Sequence, residues 1–598
     1  SVINVKTGLI ASNSGYDNRM NMTLQNLEVR SSVNHDIMMR CKEHVITADI
    51  GYPLKWNGHT IWTFLNESKN VDTFFLREHI TLLSDMFTDF ASGPATPYEL
   101  FRPFTYVLDW KVSKYAIYMN VNDANIINNP LDFNDNIYLS FQGDTLDINV
   151  HIPLEAVLRK VNTISYTLST PQLSMMLDTP PWHTLNNFLE HKEVGRSKDF
   201  KIEGSYTYHS EVGLDLVDTI IIGCKGKYMV LECYGFVVKY IISIKENYFG
   251  DFTTFKTLEE YTQLFNESNE NDDSQQASTI DQEAERKKAF KRIENEKDVH
   301  FSFDVEEGRL VLPSNIYDCS SNMSLFFSTL NMDLRFTNYY MDFEADITPA
   351  KGIYVDKCDP ESVLDFRGYE SLERHDLFID GLAIHGHRMF GLPPEELKYF
   401  CKWDLAPGEV DFTGRAEALE GLISSVIKLG FGYKNLENNL LIDEPEIHDV
   451  TSVSLVLPKV NIKLDDPQID STVVLELSKI SFFFIDVSNP RYTERASAVV
   501  ENILLNVQSK RTGKIEFELQ TSVKFTNFCQ KNDFAVERAK QDDHVLQHDG
   551  PFHRVPFFLR EELRNAEYNG LYGAIVPSFS IPDGSPPITS DTIDMIFD

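Results

Sequence analysis

The residues best suited to chemistry in this chain are two histidines one position apart, His385-Gly386-His387. On a strand, side chains at i and i+2 project to the same face, so both imidazoles could reach one ion. No third Cys, His or carboxylate ligand stands at a recognisable spacing. The pair therefore reads as two histidines on a polar face or in a turn, and no metal site is expected. The usual catalytic patterns also fail. The serines of Phe90-Ala-Ser-Gly-Pro94 and Leu422-Ile-Ser-Ser-Val426 lack the glycines of a nucleophile elbow. Lys227 and Lys514 each follow a glycine, but the glycine a phosphate loop needs five positions earlier is Ile221 in one case and Gln508 in the other. Gly430-Phe431-Gly432 lacks the third glycine and the strand–helix setting of a dinucleotide site. The carboxylates of Asp443-Glu444-Pro445-Glu446 and of Asp304, Glu306 and Glu307 resemble solvated turns more than an acid/base pair. Neither an enzymatic role nor a cofactor is expected.

What remains to be positioned is apolar. Tyr115, Ile117, Met119 and Val121 alternate with Ala116, Tyr118, Asn120 and Asn122. Ile137, Leu139 and Phe141 lead into the predicted turn Gln142-Gly143-Asp144, and Leu146, Ile148, Val150 and Ile152 come back. A period of two gives a strand one greasy face and one wet face. A second protein layer or a bound apolar ligand must shield such a face, and the choice between them decides the function.

Composition narrows the choice. The 598 residues are 42% hydrophobic and 12% aromatic, with 41 Phe and 25 Tyr, a globular and strand-prone balance. The net charge of −35, from 55 basic and 90 acidic residues, opposes binding to nucleic acid or to an anionic membrane surface. Seven cysteines without a CxxC pair read as reduced thiols in a cytosolic chain. No run approaches the ~18 apolar residues of a membrane helix. The chain begins with Ser and stops after Ile593-Asp594-Met595-Ile596-Phe597-Asp598, as expected of a piece of a longer polypeptide.

Four regions are predicted. Residues 1–255 carry strands, with an amphipathic helix at 72–90 capped by Asp72. The strands expected there include Phe104–Val112, Tyr115–Asn122, Ile137–Gln142, Leu146–Ile152, Val161–Leu168 and Leu173–Leu177, followed by a brief helix to Glu190 and a second strand group from Phe200 to Ile244. Residues 256–298 are a charged, mobile insertion. Residues 299–528 carry more strands, among them Val299–Val305, Leu310–Leu312, Val453–Leu457, Val460–Leu464, Val473–Leu477 and Ile480–Phe484, with a helix at 414–429. Residues 529–598 are an irregular C-terminal segment with a short helix near Phe558–Asn569. Twenty to twenty-five strands in one sheet must curl, split into sandwiches or form a trough, since open sheets rarely exceed ~10 strands.

Several strings carry a family resemblance. They are Leu76-Arg-Glu-His-Ile-Thr-Leu-Leu-Ser-Asp85, Ser92-Gly-Pro94, Asn125-Ile-Ile-Asn-Asn-Pro-Leu-Asp-Phe133, Thr179-Pro-Pro-Trp-His-Thr-Leu-Asn-Asn-Phe188 and His385-Gly-His-Arg-Met-Phe-Gly-Leu-Pro-Pro394. In these the chain resembles the bridge-like lipid transfer proteins of the fungal cold-sensitive-for-fermentation and animal Tweek branch. The resemblance implies a mainly β fold: an elongated repeating β-groove of antiparallel meander modules, curled into a hydrophobic trough, with a few amphipathic helices. It implies bulk, non-vesicular phospholipid transfer between organelle membranes at membrane contact sites, on the cytosolic face of the endoplasmic reticulum. The implied cargo includes phosphatidylethanolamine for glycosylphosphatidylinositol-anchor (GPI-anchor) synthesis. Implied partners are glycerophospholipids in the groove, donor and acceptor membranes touched by parts outside this segment, and adaptor proteins. It also makes His385-Gly-His387 a structural turn. The recognised strings are not lipid-contacting motifs, so the period-two faces alone supply the expected groove lining: Ile117, Met119, Val121, Leu139, Phe141, Leu146, Ile148, Val150, Phe301, Phe303, Leu475, Leu477, Phe482, Phe484, Leu505, Val507, Phe517 and Leu519. The rival expectation is a β-sandwich scaffold without lipid cargo.

Overall fold

The computed structural model describes residues 2–31, 37–76, 79, 82, 100–122, 126–127, 131–154, 161–189, 191–209, 217–249, 256–257, 297–337, 340–389, 398–430, 448–465, 467, 469–485, 494–530 and 570–580. The chain is mainly β and falls into two compact units. One holds residues 1–329, 354–371 and 421–444; the other holds 330–353, 372–420 and 445–598.

The first unit is a ladder of long strands. β1 (Val2–Ala11), β2 (Gly15–Arg30), β3 (Ile37–Pro53) and β4 (Thr60–Phe75) form an antiparallel meander. β5 (Phe104–Asn120) then lies parallel to β4. It opens a five-strand antiparallel meander with β6 (Tyr138–Leu154), β7 (Val161–Asp178), β8 (Glu193–His209) and β9 (Asp218–Glu232). A second parallel step joins β9 to β10 (Lys297–Pro313). Antiparallel neighbours need only a short connection, whereas each parallel step needs a crossover. The helix α1 (Thr184–Phe188) follows β7, and α2 (Gly235–Phe249) opens the crossover from β9 to β10.

The second unit repeats this plan. The latter half of β11 (Asn322–Phe336) pairs antiparallel with β12 (Tyr340–Ile347). A short layer follows, in which β13 (Ala350–Val355) pairs with β14 (Leu377–Ile379). β15 (Leu382–Met389) returns to β12, and β16 (Lys398–Pro407) pairs with β15. The crossover from β16 contains β17 (Val410–Gly414), paired with β14, and α3 (Ala416–Leu429), whose residues from Gly421 onward count with the first unit. β18 (His448–Leu464) is parallel to β16 and β17. It opens another five-strand antiparallel meander with β19 (Ser471–Ile485), β20 (Glu494–Ser509), β21 (Ile515–Gln530) and β22 (Gly570–Ser580).

The principal departure from expectation concerns strand length. Six pairs of segments expected to be separate strands are six single strands of 15 to 18 residues: β5, β6, β7, β10, β18 and β19. At ~3.3 Å per residue, a 17-residue strand reaches about 56 Å. Gln142-Gly143-Asp144 is therefore not a hairpin turn. It is a kink inside β6.

The kinks are aligned. Asn26, Asn70, Lys114, Asp199, Tyr228 and Glu307 all adopt positive φ, a conformation that costs a residue with a side chain. The ladder register places Asn26 opposite Lys42, Lys42 opposite Asn70, Asn70 opposite Lys114 and Lys114 opposite Asp144. Further along, Pro171 faces Asp199 and Tyr228 faces Glu307. These positions form one crease running across the strands, the usual device for bending a sheet. Each kink shifts the period-two pattern by one residue. Thus β5 presents Leu108, Trp110 and Val112, then Tyr115 and Ile117, to the same apolar side, where these last four join a cluster around Cys41 and Val71. In the second unit Pro458 faces Lys479, again at positive φ, beside a bulge in β20 between Val500 and Ile503.

Three further expectations are corrected. Asp72–Phe75 belongs to β4, not to a helix: these residues pair with Ala116–Met119, and the Asp72 carboxylate accepts a 2.7 Å hydrogen bond from Arg40 Nε. Of the remainder of that predicted helix only Leu76, His79 and Leu82 are described. Gly235–Ile244, expected as strand, is the greater part of the helix Gly235–Phe249, because Phe236, Val237 and Tyr240 recur at helical spacing and bury together. Gly570–Ser580 is a strand within the segment expected to be irregular, held by eleven consecutive pairs to β21. The helices expected to end near Glu190 and to span 414–429 are present as α1 and α3. Residues 258–296 of the expected insertion, and the short helix expected near Phe558, lie outside the described residues.

Candidate functional site

Cross-strand partners share a face, so the register identifies what each side of the first unit's sheet presents. One row reads Val5, Met22, Ile46, Asn66, Trp110, Ile148, Leu168, Ile202, Cys224, Phe303 from β1 to β10. The row two residues away reads Thr7, Met20, Ala48, Phe64, Leu108, Val150, Tyr166, Gly204, Ile222, Phe301. Between them, on the opposite face, run Lys6, Asn21, Thr47, Leu65, Asp109, Asn149, Thr167, Glu203, Gly223 and Ser302. One face is largely apolar, interrupted by Thr7, Asn66 and Gly204, and the other is largely polar.

The lane is not sealed along its length. Trp110, Ile148, Leu168, Ile202, Ile222, Phe301 and Phe303 are only half-buried. Across the crease, towards the opposite ends of the strands, the packing changes. There Val121, Ile137, Leu139, Leu177, Val194, Val230 and Val311 form a closed core with Phe236, Val237 and Tyr240 of α2 and Leu185 of α1. A closed core fixes the sheet, and a half-covered one leaves its side chains free to meet something else.

The expected lining residues divide accordingly. Ile148, Val150, Phe301 and Phe303 lie in the half-covered rows. Ile117 and Leu146 pack against the crease cluster, and Met119 is half-buried opposite Leu139. Val121 and Leu139 are inside the closed core, with Phe141 against it. In the second unit, Leu475, Leu505 and Leu519 form a cross-strand row, as do Val473, Val507 and Phe517. Leu475, Leu477, Phe484, Leu505 and Leu519 are half-buried and Phe482 is 36% exposed, whereas Val507 and Phe517 are buried. Alternation found the apolar face but could not tell its sealed part from its open part.

His385 and His387 both sit within the strand β15, paired on both sides, and not in the turn expected of them, and each faces a carboxylate. His385 Nδ1 is 4.0 Å from Asp404 Oδ2, and His387 Nδ1 pairs with Asp342 while its ring stacks on Tyr340. A different set is brought together by the fold. His191, Glu232 and Cys319 place one ligand atom each within 4.8 Å of one another. Glu232 ends β9 and is fully buried, while Cys319 lies in the loop before β11. Burial pushes the Glu232 carboxyl up from its ordinary range. The neighbouring Cys319, and then Glu232, push His191 up to about 11. No spacing in the sequence announces this cluster, since the members stand 41 and 87 residues apart.

A creased sheet of long strands with one half-open apolar face defines a sheet protein that presents a continuous apolar lane. The chain belongs to the Csf1 family: the profile described as Csf1 N-terminal region matches residues 1–598. Protein CSF1 of Saccharomyces cerevisiae is 42% identical over 98% of this chain, and Protein CSF1 of Eremothecium gossypii is 34% identical over 100% of this chain. The chain spans 21% and 22% of those two proteins, about a fifth of each.

Proposed function

We propose that this chain is a non-enzymatic segment of a lipid conduit, whose apolar lane holds the acyl chains of glycerophospholipids while headgroups stay in water. The observation that carries the reading is the pair of largely apolar rows crossing ten neighbouring strands, most of whose large side chains are half-buried. Nine inter-strand steps of ~4.8 Å give a lane about 43 Å wide in the first unit. One leaflet of a bilayer's hydrocarbon core is about 15 Å deep, half of ~30 Å. The lane is thus nearly three acyl lengths, too long for a pocket that encloses one lipid. Each methylene removed from water contributes ~0.8 kcal/mol without directional bonds, so chains are held yet free to slide.

In this reading the full-length protein moves phospholipid in bulk at contact sites on the cytosolic face of the endoplasmic reticulum, with phosphatidylethanolamine for GPI-anchor synthesis among the cargo. Membranes and adaptor proteins are engaged by parts beyond this chain. Among the described residues no helix is long and apolar enough to cross a membrane. The test is solvent extraction of the purified chain followed by mass spectrometry, with a vesicle-to-vesicle transfer assay. Phospholipid is expected in the parent chain, and Ile148→Asp with Ile202→Asp is expected to lose it while the far-ultraviolet circular dichroism stays unchanged. A folded, soluble, lipid-free parent would instead support the scaffold reading.

A further inference from the structure

We propose that His191, Glu232 and Cys319 form a zinc site that pins the strand ends where the α2 crossover begins. Three observations support it. First, His191 Nδ1 lies 2.7 Å from the carbonyl oxygen of Glu193, which can only accept, so Nδ1 donates and Nε2 is turned inward. Zinc-bound histidines commonly have this arrangement, with the second ring nitrogen fixed by a backbone carbonyl. Second, Nε2 and the Glu232 oxygen Oε2 are buried and make no hydrogen bond. Third, two of the three edges fit, and the remaining one, Nε2 to Sγ, lies within 4.8 Å. Nε2 is 3.3 Å and Cys319 Sγ 3.6 Å from the same oxygen, Glu232 Oε1. Bonds of ~2.05 Å to nitrogen, ~2.1 Å to oxygen and ~2.3 Å to sulfur, at tetrahedral angles, put those edges at about 3.4 and 3.6 Å.

Charge points the same way. A neutral imidazole, a carboxylate, a thiolate and a divalent ion sum to zero, which a buried site requires. A shared proton would also neutralise the cluster, but a charge-assisted N–H···O contact closes to ~2.7–2.9 Å, shorter than the 3.3 Å seen. A mixed N, O, S donor set suits zinc better than magnesium or calcium, which prefer oxygen alone. His191 and Cys319 border one small crevice together with Leu189, Tyr234, Tyr317 and Asp318. Because Glu232 ends β9, His191 precedes β8 and Cys319 precedes β11, one ion would tie three chain segments at one end of the sheet. The site is independent of the lipid lane.

The test uses the whole chain, freed of any affinity tag. Elemental analysis of protein from zinc-replete growth is expected to find about one zinc per chain that survives dialysis. Cobalt exchanged into the site is expected to give the thiolate-to-metal absorption of a tetrahedral centre. That band should vanish in Cys319→Ser and persist in Cys224→Ser, with zinc content falling in Cys319→Ser and His191→Gln. If either variant fails to fold, the parent chain still decides. A parent without tightly bound zinc and without a cobalt–thiolate band overturns the proposal, as does a band that survives Cys319→Ser.

Discussion

Single residues in this sheet carry charge where the interior leaves little room for it. Arg309 is buried and points its guanidinium at the Val363 carbonyl (2.8 Å) and the Ser324 hydroxyl (2.9 Å), beneath the Phe326 ring. Burial, and then Arg367, pull its pKa down to about 10. Removing it leaves a buried carbonyl unpaired, so Arg309→Ala is expected to cost about 2–4 kcal/mol in denaturant unfolding. His44 is a second case. Its Nδ1 is 2.7 Å from the Ser68 hydroxyl, which also accepts from Trp110 Nε1 at 2.7 Å. Burial lowers its pKa, so the unfolded chain takes up the proton first. Its contribution is complete above the ordinary imidazole value of about 6.5 and is lost as pH falls through it. Relative to the parent chain, His44→Gln should therefore gain thermal stability on acidification from about pH 7.5 to about 5.5, read as the difference between the two midpoints at each pH.

At the scale of elements, the crease explains why long strands resemble hairpins in sequence. A residue at positive φ displaces the alternation by one and is often polar, glycine or next to proline, which is also how a turn reads. The ladder register separates the two cases, because β5 continues to pair with both β4 and β6 beyond Lys114. Relieving the backbone there is expected to help. Lys114→Gly should raise stability by a few tenths to about 1 kcal/mol, whereas branched Lys114→Val should lower it by about 1–2 kcal/mol. Equal effects of the two in chemical denaturation would show that the kink carries no strain. The closed core under α2 answers differently. Phe236 is fully buried in it, and Phe236→Ala is expected to cost about 3–5 kcal/mol.

For the molecule as a whole, the first unit combines a closed end that supplies stability with a half-open lane that leaves apolar surface available. Core and lane therefore predict opposite phenotypes. Phe236→Ala should lower the unfolding midpoint, while Ile148→Asp should spare it and remove bound lipid. If the lane is filled along its ~43 Å, each chain should co-purify with more than two phospholipids. A fixed stoichiometry of one, by quantitative mass spectrometry, would mean an enclosing pocket instead. Phe517, though on an apolar strand face, is unsuitable for this test because it is buried and a charge there should unfold the sheet.

The amino-acid sequence alone determined that the chain is built of amphipathic strands, since Leu146, Ile148 and Val150 against Asp147 and Asn149 allow no other period. It also supplied the family strings and the acidic surface. Tertiary structure decided what alternation cannot encode. Whether Gly143 turns the chain back or bends it onward depends on which strands lie beside it. Whether Leu139 is sealed while Ile148 is half-open depends on where α2 comes to rest. The meeting of His191, Glu232 and Cys319 depends on three chain segments arriving at one place. Each of these is a relation between distant segments, and period and spacing record only near neighbours.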